Sequence, residues 1–176
     1  MKNQQNPILS LLISSIVMSS HVMAATVYWD ANGATAGSGN AGGTWDTGTT
    51  SNWNSAADGT ATPSTFANGD IAIFSAGADG TGGWTINVSG TVQPGGITFE
   101  ENGTKNISNG FISVASSPTI SAAGRSNGDN YNINSQLTGT GNITLAANGD
   151  TSDGGGGVGG NITLGNSSND FVGNVT

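Results

Sequence analysis

Gly141-Asn142-Ile143-Thr144-Leu145 returns word for word as Gly160-Asn161-Ile162-Thr163-Leu164, nineteen positions later. Similar short strands stand upstream at Ile97-Thr98-Phe99 and Thr119-Ile120-Ser121. The lead isoleucines Ile97, Ile120, Ile143 and Ile162 are spaced by 23, 23 and 19 residues. A period near twenty, carried by short alternating strands with Gly and Asn between them, predicts an all-β parallel β-helix (a β-solenoid).

The alternation extends through Trp84/Ile86/Val88, Ile112/Val114, Tyr131/Ile133, Ile143/Leu145 and Ile162/Leu164. A period of two puts these apolar side chains on one face and Thr, Ser or Asn on the other. Asn102-Gly103, Asn109-Gly110, Asn127-Gly128 and Asn148-Gly149 separate the strands and tolerate the positive φ of tight turns. Such dipeptides suit hairpins as well, so turn chemistry alone leaves a meander and a solenoid equally open. The recurrence decides for coils stacked in parallel, roughly 4.8 Å apart, with four or so coils sharing one core.

Composition narrows the function. Only 8% of the 176 residues are charged and thirty are glycine, which fits a turn-rich all-β chain better than a disordered one. Eleven carboxylates against Lys2, Lys105 and Arg125 give a net charge of −8. Such a surface repels phosphate backbones, so nucleic acid is a poor partner. The chain has no cysteine, which excludes disulfides, thiol catalysis and thiolate metal sites.

Residues 1–24 read as an export signal. Lys2 supplies the positive start, Pro7 to Met18 the apolar run, and Val22-Met23-Ala24 the compact residues before a cleavage site. The apolar run is too short for a bilayer span, which needs roughly 20 residues. Cleavage after Ala24 also removes His21, the single histidine.

Residues 25–83 form a Trp- and Gly-rich region. Thr26-Val27-Tyr28-Trp29 and Ile71-Ala72-Ile73-Phe74 read as strands, with Trp45 and Trp53 between them. One reading makes Trp29, Trp45 and Trp53 an aromatic platform for sugar rings. The preferred reading has them fill a cap that seals the first rung, since large aromatics carry much of the burial energy in a small unit. Residues 84–176 then supply the rungs, the last of them incomplete.

The search for catalytic groups returns little. Without histidine or cysteine the mature chain holds no hydrolytic triad. Lys105, the lysine a Ser–Lys pair would need, follows Asn-Gly-Thr in an expected turn. Glu100 and Glu101 are adjacent and point to opposite faces of a strand; Asp129 with Asp150 could meet across coils, but nothing singles that pair out. Arg125 alone makes no phosphate clamp. Asp150 to Gly160 reads as a surface loop in preference to a calcium site on Asp150 and Asp153, because the nonapeptide calcium-roll pattern is not matched. No cofactor is implied. The sequons at Asn142, Asn161 and Asn174 follow from composition.

Ile162-Thr163-Leu164-Gly165-Asn166, followed by Asn169-Asp170-Phe171-Val172-Gly173-Asn174-Val175-Thr176, resembles the autotransporter-associated β-strand repeat. Upstream, Trp29-Asp30, Asn52-Trp53, Asn68-Gly69-Asp70 before Ala72-Ile73-Phe74, and Ile97-Thr98-Phe99 resemble the N-terminal region of secreted proteins with that repeat. The resemblance implies a right-handed parallel β-helix passenger, exported and displayed at the cell surface or released outside. It implies an adhesive or structural role, with no catalytic residue to carry over. Host or matrix glycans or proteins are the expected partners. The outer membrane would be reached only through a C-terminal barrel that this sequence lacks, and the open last coil invites self-association. A polysaccharide lyase or hydrolase is the enzymatic alternative, a Trp-based glycan-binding module the other. Ice binding is remote, because only Thr144 and Thr163 recur in register.

Overall fold

A computed structural model describes residues 23–39, 42–124, 128–147 and 159–176. The described residues form fourteen strands and no helix. In chain order these are β1 (Thr26–Trp29), β2 (Gly43–Trp45), β3 (Trp53–Asn54), β4 (Ile71–Phe74), β5 (Trp84–Val88), β6 (Thr91–Val92) and β7 (Gly96–Phe99). There follow β8 (Thr104–Ser108), β9 (Phe111–Ser113), β10 (Thr119–Ala122), β11 (Asn130–Ile133), β12 (Gln136–Thr138), β13 (Thr144–Ala146) and β14 (Asn161–Leu164).

From β4 onward the chain visits three sheets in rotation. The first sheet runs β13-β10-β7-β4-β1-β3, the second β14-β11-β8-β5-β2 and the third β12-β9-β6. Every strand pair is parallel except β1 with β3. Strands that neighbour each other in a sheet are therefore one full circuit apart in sequence, which is the winding of a solenoid. In the first sheet Ile71, Gly96, Thr119 and Thr144 are register partners, 25, 23 and 25 residues apart. After β14, Asp170 donates its N–H to the Leu137 carbonyl and Leu137 donates to the Asn169 side chain, so this stretch stacks on β12.

The pentapeptide echo has a different meaning from the one expected. Thr144-Leu145 lies in β13 of the first sheet, whereas Ile162-Thr163-Leu164 lies in β14 of the second. The two copies are neighbours on one circuit, on different walls. The residue stacked on Ile120 is Leu145, not Ile143, and the partner of Ile162 is Tyr131. All walls of a solenoid ask for the same thing, an apolar residue inward and a polar one outward, so one pentapeptide serves two of them.

The core is built from rows of like residues. Ile97 sits on Ile120, and Ile86, Ile107 and Ile133 form a continuous row, all buried. Phe74 stacks on Phe99 at 5.5 Å, and Phe99 on Tyr131 at 4.6 Å. Corners between walls are tight: Asn109 and Gly110 both take positive φ (63° and 49°), and a Cβ on Gly110 would meet the Val88 carbonyl at 2.7 Å. The Asn127-Gly128 and Asn148-Gly149 turns fall wholly or partly outside the described residues.

Because Ile143 is fully buried and Ile162 only partly, the two copies of the echo differ in energetic weight. Ile143→Ala is expected to cost about 2–5 kcal/mol and Ile162→Ala clearly less, measured by denaturant unfolding.

Candidate functional site

One corner differs from the other two. The connections from the third sheet to the first and from the second to the third are short. Those from the first sheet to the second, at 30–42, 75–83, 100–103, 123–129 and 147–160, differ in carrying carboxylates, and their described residues include Asp30, Asp79, Glu100, Glu101 and Asp129. Parallel stacking brings Gly82, Gly103 and Asp129 of successive coils next to one another. The connections are tied by cross-loop hydrogen bonds: Asp79 accepts from the Ser38 N–H at 2.7 Å and from the Gly39 N–H at 3.3 Å. Asp129 accepts from the Gly103 N–H at 2.6 Å.

At the centre of this corner lies Lys105. The residues Thr104 to Ser108 form β8, in which Lys105 and Ile107 share the inward face, so the side chain enters the core rather than a solvated turn. Its register partners are Trp84 one coil earlier and Tyr131 one coil later. The ammonium donates to the carbonyls of Gly82 (2.8 Å) and Asn102 (2.6 Å) and sits 5.0 Å from the Trp84 ring centroid. Gly103, at φ +102°, lets the turn press against Gly82; a Cβ there would meet the Gly82 carbonyl at 2.2 Å.

Burial lowers the Lys105 pKa to about 8, although the nearby charges of Asp129 and Glu101 act to raise it. The Tyr131 hydroxyl donates to the Glu101 carbonyl at 3.1 Å, and burial next to Asp129 and Glu101 holds it protonated well above the usual phenol range. Lys105 therefore acts as an internal cross-tie between coils, enclosed and committed to two carbonyls, and does not face a substrate. Sequence reading misplaced it; the shared parity of Lys105 and Ile107 was the available signal.

The three tryptophans of the N-terminal region come together. Trp29 and Trp53 meet edge to face at 5.3 Å, Trp45 and Trp53 at 5.4 Å, and Trp45 packs on Phe66 at 5.1 Å. Trp29, Trp45 and Trp53 are each 0% exposed, so no ring face is open to a sugar. Glu101 is buried and Glu100 partly exposed; both lie in the corner after β7 and not on a strand, contrary to the expectation. Asp150, Asp153 and Arg125 lie outside the described residues. Among the described residues no group of three or more His, Cys, Asp or Glu could hold a metal ion. A cavity of about 270 Å³ opens beside Leu145, Ala147, Gly160, Asn161 and Ile162, and none of these titrates.

The outward face of the second sheet is a regular surface. Thr85, Asn106, Asn132 and Thr163 stand in register across four coils, flanked by Asn87, Ser108, Asn130 and Asn161. Asn132 donates to the Asn106 side chain at 3.0 Å and Asn161 to that of Asn130 at 3.4 Å. Lys105 is the one charged residue in these strands, and it points inward. The wall is thus an uncharged field of amides and hydroxyls. The sequons at Asn142, Asn161 and Asn174 are all described and exposed; the side chain of Asn142 accepts from the Asn174 N–H.

No protein-family model matches the chain, and no solved structure matches it. The chain is 33% identical, over 144 residues and 80% of its length, to the adhesin BmaC autotransporter of Brucella suis biovar 1 (strain 1330). It spans about 4% of the length of that curated relative. The similarity makes the chain autotransporter-like in sequence.

Two outcomes are expected. Tryptophan emission of the folded protein is blue-shifted and insensitive to added oligosaccharide, because every indole is buried. The Lys105 contribution to stability rises between pH 8 and about 10, since the unfolded chain then binds a proton at Lys105 that the folded chain has released. Lys105→Met removes that slope, while above about pH 10 the suppressed ionisation of Tyr131 lowers stability in both forms.

Proposed function

We propose that this chain is a non-catalytic, exported segment of an autotransporter-like surface protein, with an adhesive or structural role. Residues 1–24 serve as its signal peptide, residues 25–83 as an N-terminal cap, and residues 84–176 as the rungs of a right-handed parallel β-helix. Trp29, Trp45 and Trp53 seal the first coil in this reading, because three indoles closed on one another leave no ring for a ligand. The autotransporter-associated repeat accounts for β14 and the stretch that follows it.

The observation that carries the proposal is the uncharged ladder wall of Thr85, Asn106, Asn132 and Thr163. Amides and hydroxyls repeated at the coil spacing offer many weak donors and acceptors along a line. That pattern suits glycans or extended peptides of host surface or matrix, bound through multiplicity rather than through one deep pocket. Similarity to an autotransporter adhesin supports the same direction. The long polar corner connections present additional contacts, as loops on a rigid scaffold do.

The proposal is tested by displaying the full chain on bacteria and counting adhesion to matrix-coated surfaces. Thr85→Lys with Thr163→Lys, both at exposed positions, is expected to lower adhesion at least about tenfold while leaving the unfolding midpoint unchanged. A glycan-cleaving activity of the purified protein, lost on Asp129→Asn, sinks it.

A further inference from the structure

The strand β1 begins beside the bond at which the sequence marks cleavage. The backbone nitrogen of Ala25 donates to Asp70 Oδ1 at 2.9 Å, and the second carboxylate oxygen accepts from the Ala67 N–H at 3.1 Å. Asp70 is 5% exposed, whereas Met23 to Thr26 are exposed and open to a peptidase. The turn that carries this carboxylate is held from several sides. Asp70 donates its own N–H to the Ala67 carbonyl, its carbonyl accepts from Gly95, and Gly69 donates to Gln93. Asn68 Oδ1 accepts from the Gln93 N–H at 2.9 Å. The Asn68-Gly69-Asp70 turn thus builds a fixed acceptor at the start of β1.

That end of β1 is weakly held otherwise. The antiparallel pairing with β3 covers only Tyr28 and Trp29, so Thr26 and Val27 pair with β4 alone. The Ala25 carbonyl accepts from the Ile71 N–H at 2.8 Å, which opens this ladder. Downstream on the same strand Trp29 enters the aromatic cluster with Trp53, Phe74 and Trp84.

We propose that Asp70 is the receptor for the N-terminus that signal-peptidase cleavage creates between Ala24 and Ala25. Hydrolysis adds water across the Ala24–Ala25 amide: the carboxylate departs with Ala24, and the Ala25 nitrogen becomes an ammonium at neutral pH. The atom that was a neutral donor 2.9 Å from Asp70 then carries a positive charge against an almost buried carboxylate. Processing itself locks β1 onto β4. Two other ionisable groups lie on or just after β1. Tyr28 stands three residues further along, and Asp30 is bound to Asn54 and to the Asn32 N–H beyond the far end of the strand. The inference rests on the export reading above.

The test uses the full 176-residue precursor, produced in a Gram-negative host and recovered after export. N-terminal sequencing is expected to return Ala25. The α-amine of the folded product, followed by NMR after ¹³C reductive methylation, is expected to titrate about one unit above the ordinary 7.7–8.0, a roughly tenfold shift, and to return to the ordinary value in Asp70→Asn. A group whose folded pKa is raised stabilises fully below its ordinary value, and that stabilisation is lost as pH rises through the raised one. Identical titration in wild type and Asp70→Asn overturns the proposal. If Asp70→Asn does not accumulate, an ordinary value in the wild type overturns it and a raised one supports it. Export with a mature N-terminus other than Ala25 also overturns it while leaving the export reading intact; a precursor that stays uncleaved in the cytoplasm removes both.

Discussion

A coil of this chain can bury its inward side chains only against the coils above and below it. Each wall is one strand thick, and the backbone ladder fixes neighbouring coils roughly 4.8 Å apart. Residues in register therefore meet directly, which is why Ile86, Ile107 and Ile133 form one row and Phe74 stacks on Phe99. The same constraint makes a terminal coil the difficult one, because its inward face has a neighbour on one side only. At the N-terminal end the chain changes its material: Trp29, Trp45, Trp53, Phe66 and Phe74 replace rows of isoleucine with interlocked rings. Large rings meeting edge to face bury much apolar area in a small volume.

Register also explains how a lysine comes to lie in an apolar interior. Lys105 occupies a position in β8 that Trp84 holds in β5 and Tyr131 in β11. An ammonium there loses its hydration, and the carbonyls of Gly82 and Asn102 and the Trp84 ring replace it. These carbonyls belong to the corner turns of two successive coils, so the cation fastens the corner from inside. The second sheet is left as an uncharged lattice suited to contact along its length.

Much of the local structure was legible in particular residues. Thr26–Trp29 and Ile71–Phe74 form strands over the bounds that alternation and flanking turns indicated, and Trp84, Ile86 and Val88 are buried while Thr85 and Asn87 are not. The wall to which a strand belongs was not legible. The echo at Gly141 and Gly160 reads as a period, yet its copies occupy different sheets. Lys105 was misplaced for a related reason: an Asn-Gly turn followed by Thr-Lys is solvated in most settings, and only the neighbours a coil away make it interior. The role of Asp70 was invisible as well, since its partner Ala25 lies 45 residues away.

The sequence by itself determined that the chain is all-β, turn-rich and acidic, with short strands of inward apolar and outward polar residues. These are properties of period and composition, and they depend on neighbours within a few positions. Tertiary structure alone decided which strands share a wall, which indoles close on one another, and which carboxylates and lysine turn inward. Those outcomes depend on coil length, which from β4 onward varies from 23 to 25 residues on the first wall and from β5 onward from 21 to 31 on the second, so no fixed period names the partner. A loop can take up any excess at the corner, and only the closed backbone ladder counts the residues that remain.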